Sequence, residues 1–220
     1  MIYMDNTLIV SCSILVIILL LGLLYVFRST TEMFNQVTNY RSTLGQPDLS
    51  GQSNFVQLWF NYSRFAREYM KHSARDPFAI SANITSLTPI KLKMNSNQYD
   101  IATSINKMYP NTVETIWPIL ENHINIFVSI VNEHVKRQAP ENPILIPSLM
   151  ADWDKNTITL VKTLHSLNQN YNVEQLKLLL SQITTGLFVE LNLIVKGLPD
   201  DNVYIYVQNS VATFAGYLAT

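Results

Sequence analysis

From Leu8 to Phe27 the chain reads LIVSCSILVIILLLGLLYVF, 20 consecutive residues without a charge. As an α-helix rising about 1.5 Å per residue, this run is about 30 Å long, the thickness of a bilayer's hydrocarbon layer. Such a run is retained in a membrane, removed as a signal peptide, or buried in a core. A signal peptide carries a basic n-region, a shorter apolar stretch and a small-residue cleavage site. Here the preceding residues are MIYMDN, with no Lys or Arg, and Tyr25-Val26-Phe27 is a poor cleavage context. The expectation is a retained single-pass anchor, with residues 1–7 as its tip and a lipid bilayer in contact with residues 8–27. Arg28 and Arg41 follow the run and Asp5 precedes it. By the positive-inside rule the rest of the chain then lies on the cytoplasmic side. Two sequons, Asn61-Tyr-Ser63 and Asn83-Ile-Thr85, fall where helix or tight packing is expected and read as chance occurrences in an Asn-rich chain.

Residues 28–51 form a helix extension and then a linker, because Gly45, Pro47 and Gly51 punctuate a polar stretch. The remaining residues, 52–220, are enough for one domain. Apolar residues at Phe55, Leu58, Trp59, Tyr62, Phe65, Ala66 and Tyr69 recur at spacings of three and four, with Arg64, Arg67, Glu68 and Lys71 on the other side. That period predicts an amphipathic helix over 52–74. After a loop containing Pro77 and Pro89, a shorter helix is expected from Ile90 to Met108, stopped by Tyr109-Pro110. Asn111-Thr-Val-Glu114 resembles a capping box ahead of the stripe Val113, Ile116, Leu120, Ile124, Phe127, Val131 and Val135, with a bend expected at Pro118. The proline-rich APENPILIP is a connector. Trp153, Thr157, Leu160, Leu164 and Leu167 line a further helix. Asn172-Val-Glu-Gln175 caps another, which Gly197-Leu-Pro199 terminates, and a last helix runs from about Asp200 to Leu218. No segment alternates with period two. The fold class is therefore all-α: one N-terminal transmembrane helix plus an antiparallel bundle of about five helices, four of them long.

Net charge is −1, from 15 basic and 16 acidic groups, with no basic cluster to displace counterions from phosphates. Nucleic acid is not an expected partner. Cys12 is the only cysteine and sits in the apolar run, so neither an intramolecular disulfide nor a cysteine-based metal site can form. There is no G-x-S-x-G elbow and no phosphate-binding glycine loop, so no enzyme activity, cofactor or small-molecule substrate is expected.

Helical bundles build sites by pointing His, Asp and Glu inward to hold metal. Two ionisable residues fall on the apolar stripes: His123, between Leu120 and Phe127, and Glu190, between Leu187 and Ile194. A buried carboxylate needs a hydrogen-bond partner, a cation or a path to water. Both residues suit a polar network inside the bundle, and both are the candidate metal ligands. His72, His134 and His165 read as solvated. Trp59, Trp117 and Trp153, near the starts of three helices, read as core anchors.

The order of short motifs, Leu58-Trp59 then Arg67, Asn97-Gln98 with Asp100-Ile101, Tyr109, LENHI over Leu120–Ile124, and Trp153 with Asn156, resembles an uncharacterised family of bacterial metalloprotein-like helical bundles. The resemblance covers about residues 52–220. It implies metal-binding histidines at three positions, a glutamate following the third. Here those positions hold Tyr62, His123 and Ile183, with Glu190 in the glutamate's place. One histidine and one carboxylate do not complete a usual transition-metal site. The relatives implied are soluble, whereas this chain adds a membrane span. In composition it is similar to minor structural proteins of large DNA viruses with an internal membrane. The leading expectation is thus a membrane-anchored structural or interaction protein, such as a virion minor capsid or inner-membrane protein, with protein partners. The alternative is a membrane-tethered, ferritin-like or redox, metal-binding bundle using His123 and Glu190.

Overall fold

The structure, a computed structural model, describes residues 54–76, 87–136 and 145–219. The expected anchor at 8–27, the connector at 28–51 and the Asn83 sequon lie outside these residues. Six α-helices are described: α1 Asn54–Arg75, α2 Thr88–Met108, α3 Val113–Lys136, α4 Leu145–Leu167, α5 Val173–Val195 and α6 Asp201–Leu218. All described secondary structure is helical, and each helix has 18 to 24 residues. The expected bundle of about five helices is thus six among the described residues, and the member expected to be shorter, α2, has 21 residues. The helix expected to be short begins earlier, because Pro89 lies in its first turn, where a proline costs nothing since that N–H has no intrahelical partner. For the same reason the proline-rich connector gives way to α4 at Leu145, with Pro147 inside the first turn. Trp153 therefore lies two turns into its helix rather than near its start.

Consecutive helices pack on one another, and α1 also meets α3, α5 and α6, which places it in the middle. Its burial follows. Beside the expected stripe of Phe55, Trp59, Tyr62, Ala66 and Tyr69, α1 buries Val56, Ser63, Met70 and Ser73. Ser63 satisfies its hydroxyl on the Phe60 carbonyl at 2.8 Å, as a buried polar group requires. That buried serine belongs to the Asn61 sequon, consistent with its reading as a chance match.

The turns are closed by local chemistry. Between α2 and α3 the capping position is Thr112, one residue later than expected: Asn111 takes a positive φ of 69°, and the Thr112 hydroxyl donates to the Tyr109 carbonyl at 2.7 Å. Asn tolerates this left-handed conformation better than most side chains. The α5 cap is as expected, the Asn172 side chain accepting from the Gln175 amide at 3.0 Å. At the far end of α5, Gly197 sits at φ 65°. Its amide donates to the Ile194 carbonyl, and the Leu198 amide to the Leu193 carbonyl at 2.9 Å. This is a Schellman closure built on a residue without Cβ.

The α5 helix is also long and apolar enough to cross a membrane, with mean hydropathy 1.7. Here it packs against α1, α4 and α6, and such composition equally suits a core helix of a bundle. Gly197→Ala should lower stability by about 1 kcal/mol, from the left-handed strain on an L side chain; urea denaturation followed by circular dichroism reads this directly.

Candidate functional site

Two polar clusters reach into the bundle, one around each candidate residue: that of His123 is buried, and that of Glu190 opens to the surface, where the Asp201 side chain is 85% exposed. His123 projects from α3 and is almost fully buried. Its ring lies 3.9 Å, centroid to centroid, from the Trp153 indole of α4. Its Nε2 is 3.2 Å from the Tyr62 hydroxyl of α1, and its Nδ1 is 3.4 Å from Asn156 Nδ2 of α4. The tautomer follows from the neighbours. Asn156 Nδ2 also donates to the Ile119 carbonyl at 3.2 Å, and Asn156 Oδ1 accepts from Asn122 Nδ2 at 3.0 Å. The amide nitrogen therefore faces His123, Nδ1 accepts, and Nε2 carries the hydrogen that points at Tyr62. Burial holds the imidazole neutral and lowers its pKa to about 4. The same burial raises the Tyr62 phenol above its usual range. The Trp153 indole N–H is satisfied by the Thr184 hydroxyl of α5 at 3.1 Å.

The second cluster centres on Arg67 of α1. Its Nε is 3.1 Å from Glu190 Oε1 of α5, and its Nη2 is 2.7 Å from Asp200 and 2.6 Å from Asp201, at the start of α6. Lys71 adds a contact to Asp200 at 3.2 Å. The guanidinium also lies 4.1 Å from the centroid of the Tyr204 ring, a cation–π distance. Asp200 occupies the N-cap position of α6 yet makes no side-chain cap bond; its carboxylate is turned to Arg67 and Lys71 instead. Glu190 has no exposed surface, and its 3.1 Å contact with Arg67 is not aligned as a hydrogen bond. Burial raises the Glu190 pKa to about 8, against the pull of Arg67 and with a further upward push from Asp200. Burial also acts to raise Asp200, but the hydrogen bonds from Arg67 and Lys71 outweigh it and hold that carboxyl below the usual range.

The two candidate residues therefore serve different clusters. His123 is engaged at both ring nitrogens by Tyr62 and Asn156, and Glu190 faces Arg67. Among the described residues no group of three or more His, Cys, Asp or Glu gathers as a metal site. Of the positions that the family resemblance assigns to ligands, Tyr62 and His123 are in hydrogen-bond contact, and Ile183 is a buried core residue. Trp117 is only half-buried, edge-on to the exposed Tyr99 ring at 5.5 Å, so it is less of a core anchor than Trp59 and Trp153. His165, expected to be solvated, bonds the Tyr171 carbonyl through Nδ1 at 2.7 Å. Arg67, expected on the polar side of α1, is drawn inward; a signal for this is its place between Ser63 and Met70 on the helix's second buried stripe. Comparison with protein-family models, with curated proteins and with solved structures gives no match.

Glu190 holds its proton more tightly folded than unfolded, so its contribution to stability falls as pH rises from the ordinary carboxyl range to about 8 and stays low above that. Glu190→Gln should remove this dependence, leaving the variant more stable than the parent at pH 9 by a margin on the order of 1 kcal/mol or more; urea midpoints at pH 6 and pH 9 measure it. His123 has the opposite case of a depressed pKa in a base. It destabilises the fold as pH falls from about 6.5, the free imidazole value, toward 4. Nitrogen NMR should show His123 as the Nε2–H tautomer, unchanged from pH 8 to pH 5.

Proposed function

We propose that this chain is a membrane-anchored structural or interaction protein, in which residues 8–27 span a bilayer and the helical bundle docks a neighbouring protein. The observation that carries the reading is the 20-residue uncharged run from Leu8 to Phe27. A connector of 26 residues, 28–53, then leads to α1.

The internal chemistry supports a bundle kept for shape. The groups that could do acid–base or ligand chemistry are spent on each other: His123 on Tyr62 and Asn156, Glu190 on Arg67. Buried polar networks of this kind specify which helices meet, at a cost in desolvation. The more specific form of the proposal is a minor protein of a virion with an internal membrane, the bundle lying between that membrane and the capsid. Its basis is compositional likeness, whereas the likeness to metalloprotein-type bundles rests on the order of short motifs.

Cross-linking with mass spectrometry on native membranes or purified particles tests it. Stoichiometric cross-links from the bundle to one neighbouring protein, together with retention in the membrane after alkaline carbonate, are the expected result. Release by carbonate overturns the anchor, and recovery from membranes without any cross-linked neighbour overturns the docking role.

A further inference from the structure

The outward surface of the hairpin formed by α5 and α6 is unlike the rest of the bundle. Residues 178–195 and 202–219 together contain a single charged side chain, Glu190, and that one is buried. Between residues 88 and 136, by contrast, α2 and α3 carry eight Lys, Asp and Glu residues. The hairpin's remaining charges lie at its two ends: Glu174 and Lys177, paired with each other at 2.8 Å, at the opening of α5, and Lys196, Asp200 and Asp201 in or beside its turn, where both aspartates are held by Arg67. Of the eight large apolar side chains exposed among the described residues, four belong to this hairpin: Leu178 (53%), Val189 (39%), Leu198 (49%) and Ile205 (41%). Gly186 brings the helices close along their seam. A Cβ there would lie 2.7 Å from Val207 and 3.1 Å from the half-buried Tyr206 ring, so Tyr206 lies across the α5 backbone with part of its ring in the open.

Loss of charge with retention of aromatic and aliphatic side chains is the compositional mark of an interface centre, and exposed apolar area alone is not. The face is also large enough. Eighteen residues of helix are about 27 Å long and two packed helices about 20 Å wide, which gives roughly 540 Å² per copy and ~1,100 Å² for a pair. A specific interface needs about 1,000 Å². A face carrying no net sign can meet its own copy without like-charge repulsion, as a two-fold, isologous contact requires.

We propose that the outward α5–α6 face is the contact surface between two copies of this chain, with Val189, Ile205 and Tyr206 near its centre. The proposal does not depend on the membrane anchor, because every residue it uses belongs to the bundle.

The full chain in mild detergent, analysed by sedimentation velocity across a concentration series, provides the test. Val189→Glu and Ile205→Glu should each weaken the dimer at least tenfold, while Leu92→Glu on α2, an exposed site (62%) away from this face, should leave it unchanged. Circular dichroism checks that each variant keeps its helical content. If a glutamate variant does not fold, single-cysteine chains in a Cys12→Ser background replace it. Val189→Cys should then form a disulfide between copies in membranes and Leu92→Cys should not. A monomeric parent chain overturns the proposal. So does a dimer that persists through both hairpin variants, which would place self-association in residues 8–27, and so does one weakened equally by Leu92→Glu. Loss of vesicle binding, or of cross-links to a different protein, without any change in self-association would give the face to lipid or to that protein, and equally overturns it.

Discussion

The Arg67 guanidinium ties together three helices. From α1 it reaches Glu190 on α5 and Asp200 and Asp201 at the head of α6, and it carries the Tyr204 ring against its face. A buried carboxylate alone would be costly, and a partly buried guanidinium without partners would add to that cost. Together they make the meeting of α1 with the α5–α6 hairpin specific to one register. Without Arg67, Glu190 would be left beside Asp200 with Lys71 as the nearest cation. The position of α6 depends on this arrangement as well, since Asp200 gives up its capping role to serve it.

The His123 cluster does for α3 and α4 what Arg67 does for α5 and α6. An imidazole kept neutral between an indole and a phenol, with its tautomer set by Asn156, joins α1, α3 and α4 through polar atoms that have few alternative partners. Both clusters thus converge on α1 from different sides, through Tyr62 and Arg67, five residues apart. Acid and base act on them separately. Acid strains the imidazole, whose proton is expelled by burial, and alkali strains the Glu190 carboxyl, which must ionise where it is buried.

Most of the helical layout was legible from the spacing of apolar residues, because α3 and α5 carry long stripes and α5 also carries its cap and its glycine stop. Two helix starts were less so: prolines at 89 and 147 read as loop, yet both sit in first turns, the one part of a helix that accepts them. His123 and Glu190 were legible as polar residues on apolar stripes. Their partners were not. Tyr62 looks like an ordinary core aromatic, Asp200 looks like a cap, and Arg67 looks like a surface charge, since pattern reading assigns one wet side to every helix. A helix surrounded on most sides, as α1 is, breaks that assumption, and the serines that mark its second buried stripe do not register as apolar.

The central place of α1 bears on how the bundle responds to force. Any pull transmitted through the residues before Asn54 reaches the domain at α1, a helix that touches four others. A pull along its axis would slide the buried Trp59, Tyr62 and Met70 past several neighbours at once, a shearing motion that loads many contacts in parallel, whereas an edge helix would peel away contact by contact. Tension in that direction would therefore meet the most widely shared helix of the bundle.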